Sequence, residues 1–387
     1  MAGAAVANIY YVQPLLNSVG AAFGVSEAVA GLLVTCAQIG YVAGLALLVP
    51  LGDLVERRAL IVRMLLLAAV ASGVCAAAPA LPVLGVALVA LGVLSVVAQV
   101  VVALASTLAA DEERGQVVGT VMSGLLGGIL LARTVSGLIA EVGGWRAVFA
   151  VAAVGLVALA LVLRRALPVV PRTSALPYPA LLRSIVGLVR EEPVLRQRMA
   201  IVACNMAAFS MLWTAIAFLL HDEPYGYSEG VIGLFGLVGV AGVAIAPVAG
   251  RLADRGHSRA VMTALLVLLP LSWGLNALGG TSLVALLAGI VLLDLALTGA
   301  QITNQSAIYA LRADARSRLT TAYMTSSFAG GVCGSIAASV VQDAYGWGAT
   351  CAVGAGLGIA ALAVWTVTEP RLARTPVVDA RDVRVEV

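Results

Sequence analysis

GVSEAVAGLL at residues 24–33 returns as GYSEGVIGLF at residues 226–235, 202 positions later in the chain. Further positions obey the same offset: Gln99 and Gln301, Met122-Ser123 and Met324-Thr325, and Gly144-Trp145 and Gly346-Trp347. A repeat of half the chain length is the sequence signature of a duplicated structural unit. The repeat therefore predicts two halves with the same fold.

The composition predicts that this unit lies in a membrane. Of the 387 residues, 61% are hydrophobic and only 11% are charged, and the mean hydropathy is +1.04. A soluble domain has about 25% charged residues, and a helix needs about 20 apolar residues to cross a bilayer. Twelve such stretches occur, six in each repeat, near residues 2–19, 28–50, 59–78, 82–109, 116–141, 146–167, 199–220, 229–250, 259–278, 282–311, 317–342 and 348–368.

These stretches are too long and too uniformly apolar for the alternating strands of a membrane barrel. The sequence therefore predicts an all-α polytopic membrane protein with twelve transmembrane helices in two pseudo-symmetric six-helix bundles. The predicted parts are an N-terminal bundle at 1–167, a cytoplasmic connector at 168–197, a C-terminal bundle at 198–368 and a cytoplasmic tail at 369–387.

Two of these parts have unusual sequences. The repeat places the counterpart of the apolar run that begins at Met199 before residue 1, so we expect a truncated first helix. A cleaved signal peptide is the alternative, but the basic residues with which such a peptide starts are missing. The connector contains an amphipathic pattern around Leu181 and Leu188, with Arg183 and Arg190 off the apolar face. This pattern is typical of a short helix on the membrane surface, although a plain linker fits about equally well.

The arginines predict the topology. All 23 basic residues are arginine, and 21 of them flank connections on one side of the predicted membrane. The positive-inside rule therefore places both termini in the cytoplasm. Since the arginines are dispersed, they do not favour nucleic-acid binding.

Metal and enzyme chemistry find little support in the sequence. The five cysteines lie inside predicted spans without a C-x-x-C motif, and the two histidines are far apart. No hydrolase, metalloprotease or phosphate-loop motif occurs in the chain. We expect no metal, no cofactor and no enzyme activity.

Asp294 is the most informative polar residue. It lies about twelve residues into the tenth predicted span, where a charged aspartate costs about 2.5–3.5 kcal/mol. A carboxylate that holds or releases a proton within the membrane is what proton coupling requires. The polar residues that follow it at helical spacing indicate that this face lines a wet cavity; they are Thr298, Gln301 and Gln305, with Asn304 beside them. A structural, hydrogen-bonded aspartate is the alternative.

Arg133 in the fifth span is the second charge predicted inside the membrane. Its repeat counterpart is Ser335, so the charge belongs to the first half alone. The sequence leaves three roles open: a pair with Asp294, binding of an anionic substrate, or a tie between helices through backbone carbonyls.

Other polar and aromatic residues in spans 1, 4 and 7 are candidates for the lining of the same cavity. Such linings suit polar or amphipathic organic molecules, although each residue alone more often makes an interhelical hydrogen bond. The candidates are Asn8, Tyr11, Gln13, Gln99, Asn205 and Trp213.

Two predicted cytoplasmic turns share a charge pattern. PLGDLVERR at 50–58 and GRLADRGHSR at 250–259 each combine an acid with flanking arginines. An acid at a helix end can hold one conformation by facing the N-terminus of another helix, and plain topology signals are the alternative. The candidate gating residues are Asp53, Arg57, Arg58, Gly250, Asp254 and Arg255.

GRLADR at 250–255 resembles the signature loop of the major facilitator superfamily. ANIYYVQPLL at 7–16, LLARTVSG at 130–137 and NQSAIYAL at 304–311 look like a bacterial efflux-permease group of that superfamily, and Gly144-Trp145-Arg146 matches its antiporter branch. The antiporter proline of the fifth span is absent, since Ala132-Arg133 stands there, and Val49 replaces the leading glycine of the first loop.

The resemblance implies a twelve-helix fold, a cavity lined by spans 1, 4, 7 and 10, and proton-driven export of a small organic molecule from a bacterial cell. We therefore expect a multi-pass protein of the bacterial inner membrane, monomeric, whose partners are a small-molecule substrate, protons and the lipid bilayer, with no nucleic acid. An uncoupled or uptake carrier is the alternative within this class, and a non-transporting membrane sensor is the alternative outside it.

Overall fold

The computed structural model describes residues 2–52, 54–108, 114–169, 177–239, 257–309, 311–312 and 315–372, and all regular secondary structure in these ranges is helical. In chain order the helices are α1 (Ala2–Val6), α2 (Leu16–Phe23), α3 (Glu27–Leu51), α4 (Arg57–Ala77), α5 (Leu81–Ser95), α6 (Val97–Leu108), α7 (Arg114–Ala166), α8 (Tyr178–Glu191), α9 (Pro193–His221), α10 (Glu229–Gly239), α11 (Ser258–Leu278), α12 (Leu283–Tyr309) and α13 (Arg316–Leu372). We call α1–α7 the first half and α9–α13 the second half.

The described helices agree with twelve membrane crossings. Within the described ranges, eight helical stretches are long and apolar enough to span a bilayer by themselves. With 53 and 57 residues, α7 and α13 are each too long for a single crossing. Each contains one glycine with non-helical backbone angles, Gly144 and Gly346, where two crossing helices meet. The irregular first span and α10 complete the set.

The backbone repeats together with the sequence. Among the described residues, the glycines with positive φ form two pairs 202 positions apart: Gly24 with Gly226, at 65° and 58°, and Gly144 with Gly346, at 72° and 73°. A residue with a Cβ is strained in this region of backbone space, so glycine is required at these turns. The two halves therefore use the same turns at the same places.

The first span is not a regular α-helix. Between α1 and α2 the chain forms two short 3-10 turns, Ala7–Ile9 and Gln13–Leu15. Pro14 has no N–H to donate, and the Asn8 side chain donates to the backbone carbonyl of Ala5 at 2.9 Å. Both features compete with α-helical hydrogen bonds, so the predicted helix over 2–19 is interrupted at its centre.

The two halves meet at the end of the molecule that carries the α2–α3, α9–α10 and α11–α12 connections. We call this the arginine-poor end, because among the described residues Arg146 is the only arginine at its connections. There the Asn17 side chain donates to the carbonyl of Ala217 across the two halves at 3.0 Å.

Two helix pairs form the seams between the halves at this end. In the α3–α13 seam, the hydroxyl oxygens of Thr35 and Ser335 lie 2.8 Å apart. In the α7–α10 seam, Thr134 donates its hydroxyl to the carbonyl of Gly233 at 2.9 Å. Small residues allow this close approach of the backbones.

The two seams are related by the repeat. A Cβ on Gly31 would collide with the Ser339 side chain, and Gly233 and Gly137 pack backbone against backbone. An offset of 202 converts Gly31 into Gly233 and Gly137 into Ser339. The arginine-poor end is thus closed by two copies of one contact.

The connector at the opposite, arginine-rich end contains a helix, α8, and is not a plain linker. Leu181 and Leu188 of α8 are buried. At its start Tyr178 donates its hydroxyl to the carbonyl of Leu47 in the first half, at 2.8 Å. At its end Glu191 forms an ion pair with Arg312 of the second half, at 3.8 Å. The helix therefore bridges the two halves.

Candidate functional site

A cavity of about 120 Å³ lies between the two halves. Both halves contribute to its wall, through the first span, α3, α6, α7, α9, α12 and α13. The lining residues are Val6, Tyr10, Tyr41, Gln99, Ile129, Val202, Asn205, Met206, Phe209, Asp294, Leu297, Thr298, Gln301, Met324, Ser327 and Phe328.

Asp294 is the charged group of this cavity. Only 4% of the residue is exposed, and its Oδ2 atom has no hydrogen-bond partner among the described residues. Thr298 and Gln301 continue the cavity wall along α12, as their helical spacing predicts. A buried carboxyl oxygen without a partner is costly, so it is a candidate for binding a proton or a ligand.

Aromatic rings form much of the remaining wall. The rings of Tyr41 and Phe328, from opposite halves, lie 4.3 Å apart between centres. Gln99 donates to the Tyr41 hydroxyl at 3.4 Å, and the Oδ1 atom of Asn205 has no hydrogen-bond partner within the described ranges. The cavity thus combines apolar surfaces with a few polar groups, which is the usual composition of a small-molecule site.

Arg133 lies beside this cavity inside an aromatic cage. Its guanidinium carbon is 4.0 Å from the ring centre of Trp213, 5.0 Å from that of Tyr10 and 5.4 Å from that of Phe209. Its Nε donates to Oε1 of Gln13 at 2.6 Å, while Nη1 and Nη2 have no hydrogen-bond partner in the part of the chain that the structure describes. Ring faces attract cations, so the cage replaces part of the lost hydration.

Arg133 and Asp294, a basic and an acidic side chain, are both buried and belong to different halves. Arg133 belongs to α7 and Asp294 to α12, so the distance between them depends on how the halves are arranged. No hydrogen bond joins them in this conformation. Of the three roles that the sequence left open for Arg133, the tie to backbone carbonyls is not what the structure has, because its hydrogen bond goes to the Gln13 side chain.

Five of the predicted site residues line the cavity together, from three helices: Gln99, Asn205, Asp294, Thr298 and Gln301. Two others, Gln13 and Trp213, contact Arg133 and stand outside the lining.

The remaining candidates lie elsewhere. Asn8 bonds to its own turn, and Tyr11 lies in a separate pocket between the first span and α7. Asn304 accepts a hydrogen bond from Arg198 at 3.3 Å, and Gln305 is not part of the lining. Their positions follow from the interrupted first span and from the helical rotation along α12.

Tyr41, Phe209 and Phe328 line the cavity without having been predicted to do so. An aromatic residue inside an apolar span has no sequence feature that separates a core position from a cavity wall. The Tyr41 position had one weak signal, since Gln38 lies one turn before it on α3. Gln38 itself donates to the Ser210 hydroxyl of the second half at 3.0 Å.

The first of the two predicted gating turns is partly described. Arg57 donates to the carbonyl of Gly52 at 2.9 Å, and Arg58 to that of Leu167 at 3.4 Å. The Glu56 carboxylate caps α4 by accepting from two backbone N–H groups at 2.8 Å. The other gating candidates, Asp53, Gly250, Asp254 and Arg255, lie outside the described residues.

Comparison with known proteins identifies the family. The family model described as Major Facilitator Superfamily matches residues 1–313 and 198–385. The protein named "Uncharacterized transporter YgaY" of Escherichia coli O157:H7 is 49% identical over 363 residues, which cover 94% of this chain and 92% of the relative. "Probable transporter SCO4007" of Streptomyces coelicolor is 38% identical over 370 residues, covering 95% and 85%.

Solved structures support the fold. A crystal structure of the nucleoside transporter NupG superposes with a TM-score of 0.73, covering 95% of this chain and 99% of that one. The two sequences are 14% identical, so the likeness concerns the fold alone.

Proposed function

This chain belongs to the Major Facilitator Superfamily, and on that premise we propose that it is a proton-coupled exporter of a small organic molecule. The observation that carries the proposal is that the buried carboxyl group of Asp294 and the buried guanidinium of Arg133 lie on different halves. Any motion that separates the halves at the arginine-poor end changes the field at the carboxyl group.

In the proposed cycle the two halves rock about the cavity, so that it opens alternately to each side of the membrane. The described conformation is closed at the arginine-poor end by the two glycine seams. We assign this end to the outside and both termini to the cytoplasm of a bacterial inner membrane, because the arginines gather at the other end. The carrier is proposed to act as a monomer.

Arg133 links proton binding to the cycle. With the outside closed, the rings of the second half hold its positive charge beside the cavity that Asp294 lines, and a nearby positive charge favours an ionised carboxylate. When the outside opens, Arg133 moves away with the first half, and Asp294 binds a proton from the external solution. When the outside closes again, Arg133 returns to its place beside the cavity, and Asp294 releases its proton to the cytoplasm.

The substrate is proposed to occupy the cavity when Asp294 has released its proton. The carrier exchanges substrate for protons if a substrate and a proton cannot bind the Asp294 carboxylate at the same time. The aromatic walls and the few amide and hydroxyl groups fit a molecule with an apolar body and one or two polar groups.

The test is proton release from inside-out vesicles that hold a pH gradient, with a panel of drugs, sugars and nucleosides. Vesicles with native protein should lose the gradient when a substrate is added, and vesicles with Asp294→Asn should not. Gln305→Leu, on the same helix but outside the cavity, serves as the matched control and should behave like native protein.

Three outcomes oppose the proposal. Equal gradient loss with Asp294→Asn would mean that Asp294 does not couple the proton. A compound that binds with micromolar affinity and equilibrates across the membrane without moving protons would indicate an uncoupled carrier. Binding without any translocation would indicate a sensor.

A further inference from the structure

Unpartnered hydrogen-bond donors gather at Arg133. Because the side-chain oxygen of Gln13 accepts from Nε of Arg133 at 2.6 Å, the other amide atom of Gln13 is its NH2 group, a donor. Among the described residues, this nitrogen and both Nη atoms of Arg133 are buried without a hydrogen-bond partner. Both residues are 2% exposed. The first half therefore has three unused donor nitrogens on two joined side chains, which we call the donor cluster.

The positive charge of the donor cluster is not neutralised by the contacts of Arg133. Its hydrogen-bond acceptor is a neutral amide, and the rings around it attract a cation without cancelling its charge. A buried charge is stable when it is paired and hydrogen-bonded. The two Nη atoms of a guanidinium match the two oxygens of a carboxylate. The donor cluster is thus suited to a carboxylate.

The second half offers acceptors to the cavity. Oδ2 of Asp294 and Oδ1 of Asn205 are buried without a hydrogen-bond partner in the described part of the chain, and both residues line the cavity. Asp294 lies on α12 and Asn205 on α9. A carboxylate together with an amide oxygen suits a positively charged group with several N–H donors, such as an ammonium.

Two aromatic side chains connect the donor cluster with the cavity. Tyr10 and Phe209 both line the cavity, and their ring centres lie 5.0 Å and 5.4 Å from the guanidinium carbon of Arg133. The donor cluster therefore lies directly behind this part of the wall. Phe209 belongs to α9 of the second half, so its position over the arginine changes when the halves rock. Displacement of this ring would open a path from the cavity to the Nη atoms.

We propose that the substrate is a zwitterion with an apolar body, such as an amino acid with a large hydrophobic side chain. Its carboxylate binds Arg133 and Gln13 of the first half, and its ammonium binds Asp294 and Asn205 of the second half. A molecule with a single charge would leave one of these buried groups without a partner, which lowers affinity. The assignment rests on the proposed function, and in it the ammonium and the proton compete for the Asp294 carboxylate.

Binding to the purified protein tests the proposal without transport or a pH gradient. Isothermal titration at neutral pH compares leucine, methionine, phenylalanine and tryptophan with two derivatives of each. The carboxamide lacks the carboxylate, and the N-acetyl derivative lacks the ammonium. At least one of the amino acids should bind, and both of its derivatives should bind at least about tenfold more weakly, because each loses charge-assisted hydrogen bonds.

Gln13→Glu tests the donor cluster with almost no change in size. The new carboxylate takes the same hydrogen bond from Arg133 and competes with the carboxylate of the ligand. The amino acid should therefore bind at least about tenfold more weakly, whereas its carboxamide should not lose affinity. The matched control, Gln305→Glu, makes the same substitution outside the cavity wall and should keep the preference for the amino acid. Thermal unfolding checks that each variant is folded.

The proposal is overturned if none of the amino acids binds, if the carboxamide binds as tightly as the amino acid, or if Gln13→Glu weakens both ligands equally. If Gln13→Glu does not fold, the derivatives on the native protein decide. Proton release driven by a compound without a carboxylate would keep the proposed coupling and reject the zwitterion. Amino-acid binding combined with equal gradient loss in Asp294→Asn would keep the zwitterion and reject the coupling.

Discussion

The guanidinium carbon of Arg133 lies 4.0 Å from the ring centre of Trp213, and this contact joins the two halves of the molecule. The arginine is 2% exposed and the tryptophan 3%, so water contributes little to either side chain. The charge of Arg133 is therefore stabilised in the membrane largely by aromatic faces, two of which belong to the other half. Separation of the halves removes them.

Replacement of the charge of Arg133 should shift proton coupling. In Arg133→Gln the carboxyl group of Asp294 loses the positive charge on the other side of the interface and releases its proton less readily. The pH profile of substrate-driven proton release should therefore move towards alkaline pH, by about one to three units. Arg133→Lys keeps the charge but loses the planar stacking, so a smaller shift is expected. A profile that is the same in both variants would contradict the electrostatic role.

The ring of Trp213 should stabilise the conformation that is closed at the arginine-poor end. A buried cation–π contact contributes about 2 kcal/mol, which corresponds to roughly a 30-fold change in the closed-to-open ratio. Trp213→Leu should lose most of this, whereas Trp213→Phe keeps a ring face and should lose less. Spin labels at Ala22→Cys and Tyr345→Cys, exposed positions on opposite halves of an otherwise cysteine-free protein, give the ratio by pulsed electron resonance. Equal ratios for the two variants would assign the effect to volume and not to the ring.

The glycines of the seams should control conformation, whereas glycines within one half should control stability. Gly31→Leu and Gly233→Leu place a side chain between the halves and should hold the arginine-poor end open in a folded protein. Gly40 packs on the backbone of Val89 in its own half, so Gly40→Leu should lower the unfolding free energy by about 1–3 kcal/mol. Thermal unfolding and the spin-label distance separate the two effects. Loss of fold in all three variants would refute the distinction.

Two glutamines one helical turn apart on α12 differ in their relation to the cavity. Gln301 lines the cavity and Gln305 does not. If Gln301 donates or accepts one hydrogen bond to the substrate, Gln301→Leu should weaken binding by about 1 kcal/mol, roughly fivefold in Kd. Gln305→Leu should leave Kd unchanged. Isothermal titration with a substrate found in the vesicle assay measures Kd for both variants. Weaker binding in Gln305→Leu than in Gln301→Leu would contradict the assignment of the cavity.

The assignment of the two ends to outside and inside can be checked by labelling. Thr281 lies in the α11–α12 connection at the arginine-poor end, and Arg183 lies on α8 at the other end, both exposed. In a cysteine-free background, a membrane-impermeant maleimide added to intact cells should label Thr281→Cys and not Arg183→Cys. Labelling of only Arg183→Cys would invert the topology and, with it, the proposed direction of proton flow.

The fold was largely predictable because its determinants are local. Apolar length predicts each crossing, and the repeat of Gly24 and Gly144 as Gly226 and Gly346 marks equivalent turns. The predicted helix over 2–19 is interrupted, and the signal for this was present in Pro14 and Asn8, whose effects on helices are local as well.

Helical spacing predicted the part of the site that lies along one helix, α12. Asp294, Thr298 and Gln301 share a face by their spacing, and they do line the cavity. The cage around Arg133 brings together Tyr10, Phe209 and Trp213 from two distant helices, and no spacing rule within one helix reports such a meeting. For the same reason Trp213 was expected in the cavity wall, although it covers the arginine beside it.

The helix α8 joins the two halves at the arginine-rich end. Its 14 residues form a strut about 21 Å long, anchored on the first half through Tyr178 and on the second half through Glu191. A helix resists stretching, so α8 limits how far its two attachment points can move apart. As long as both anchors hold, the width of the entrance, and with it the bulk of any molecule admitted, is set by a segment outside the membrane.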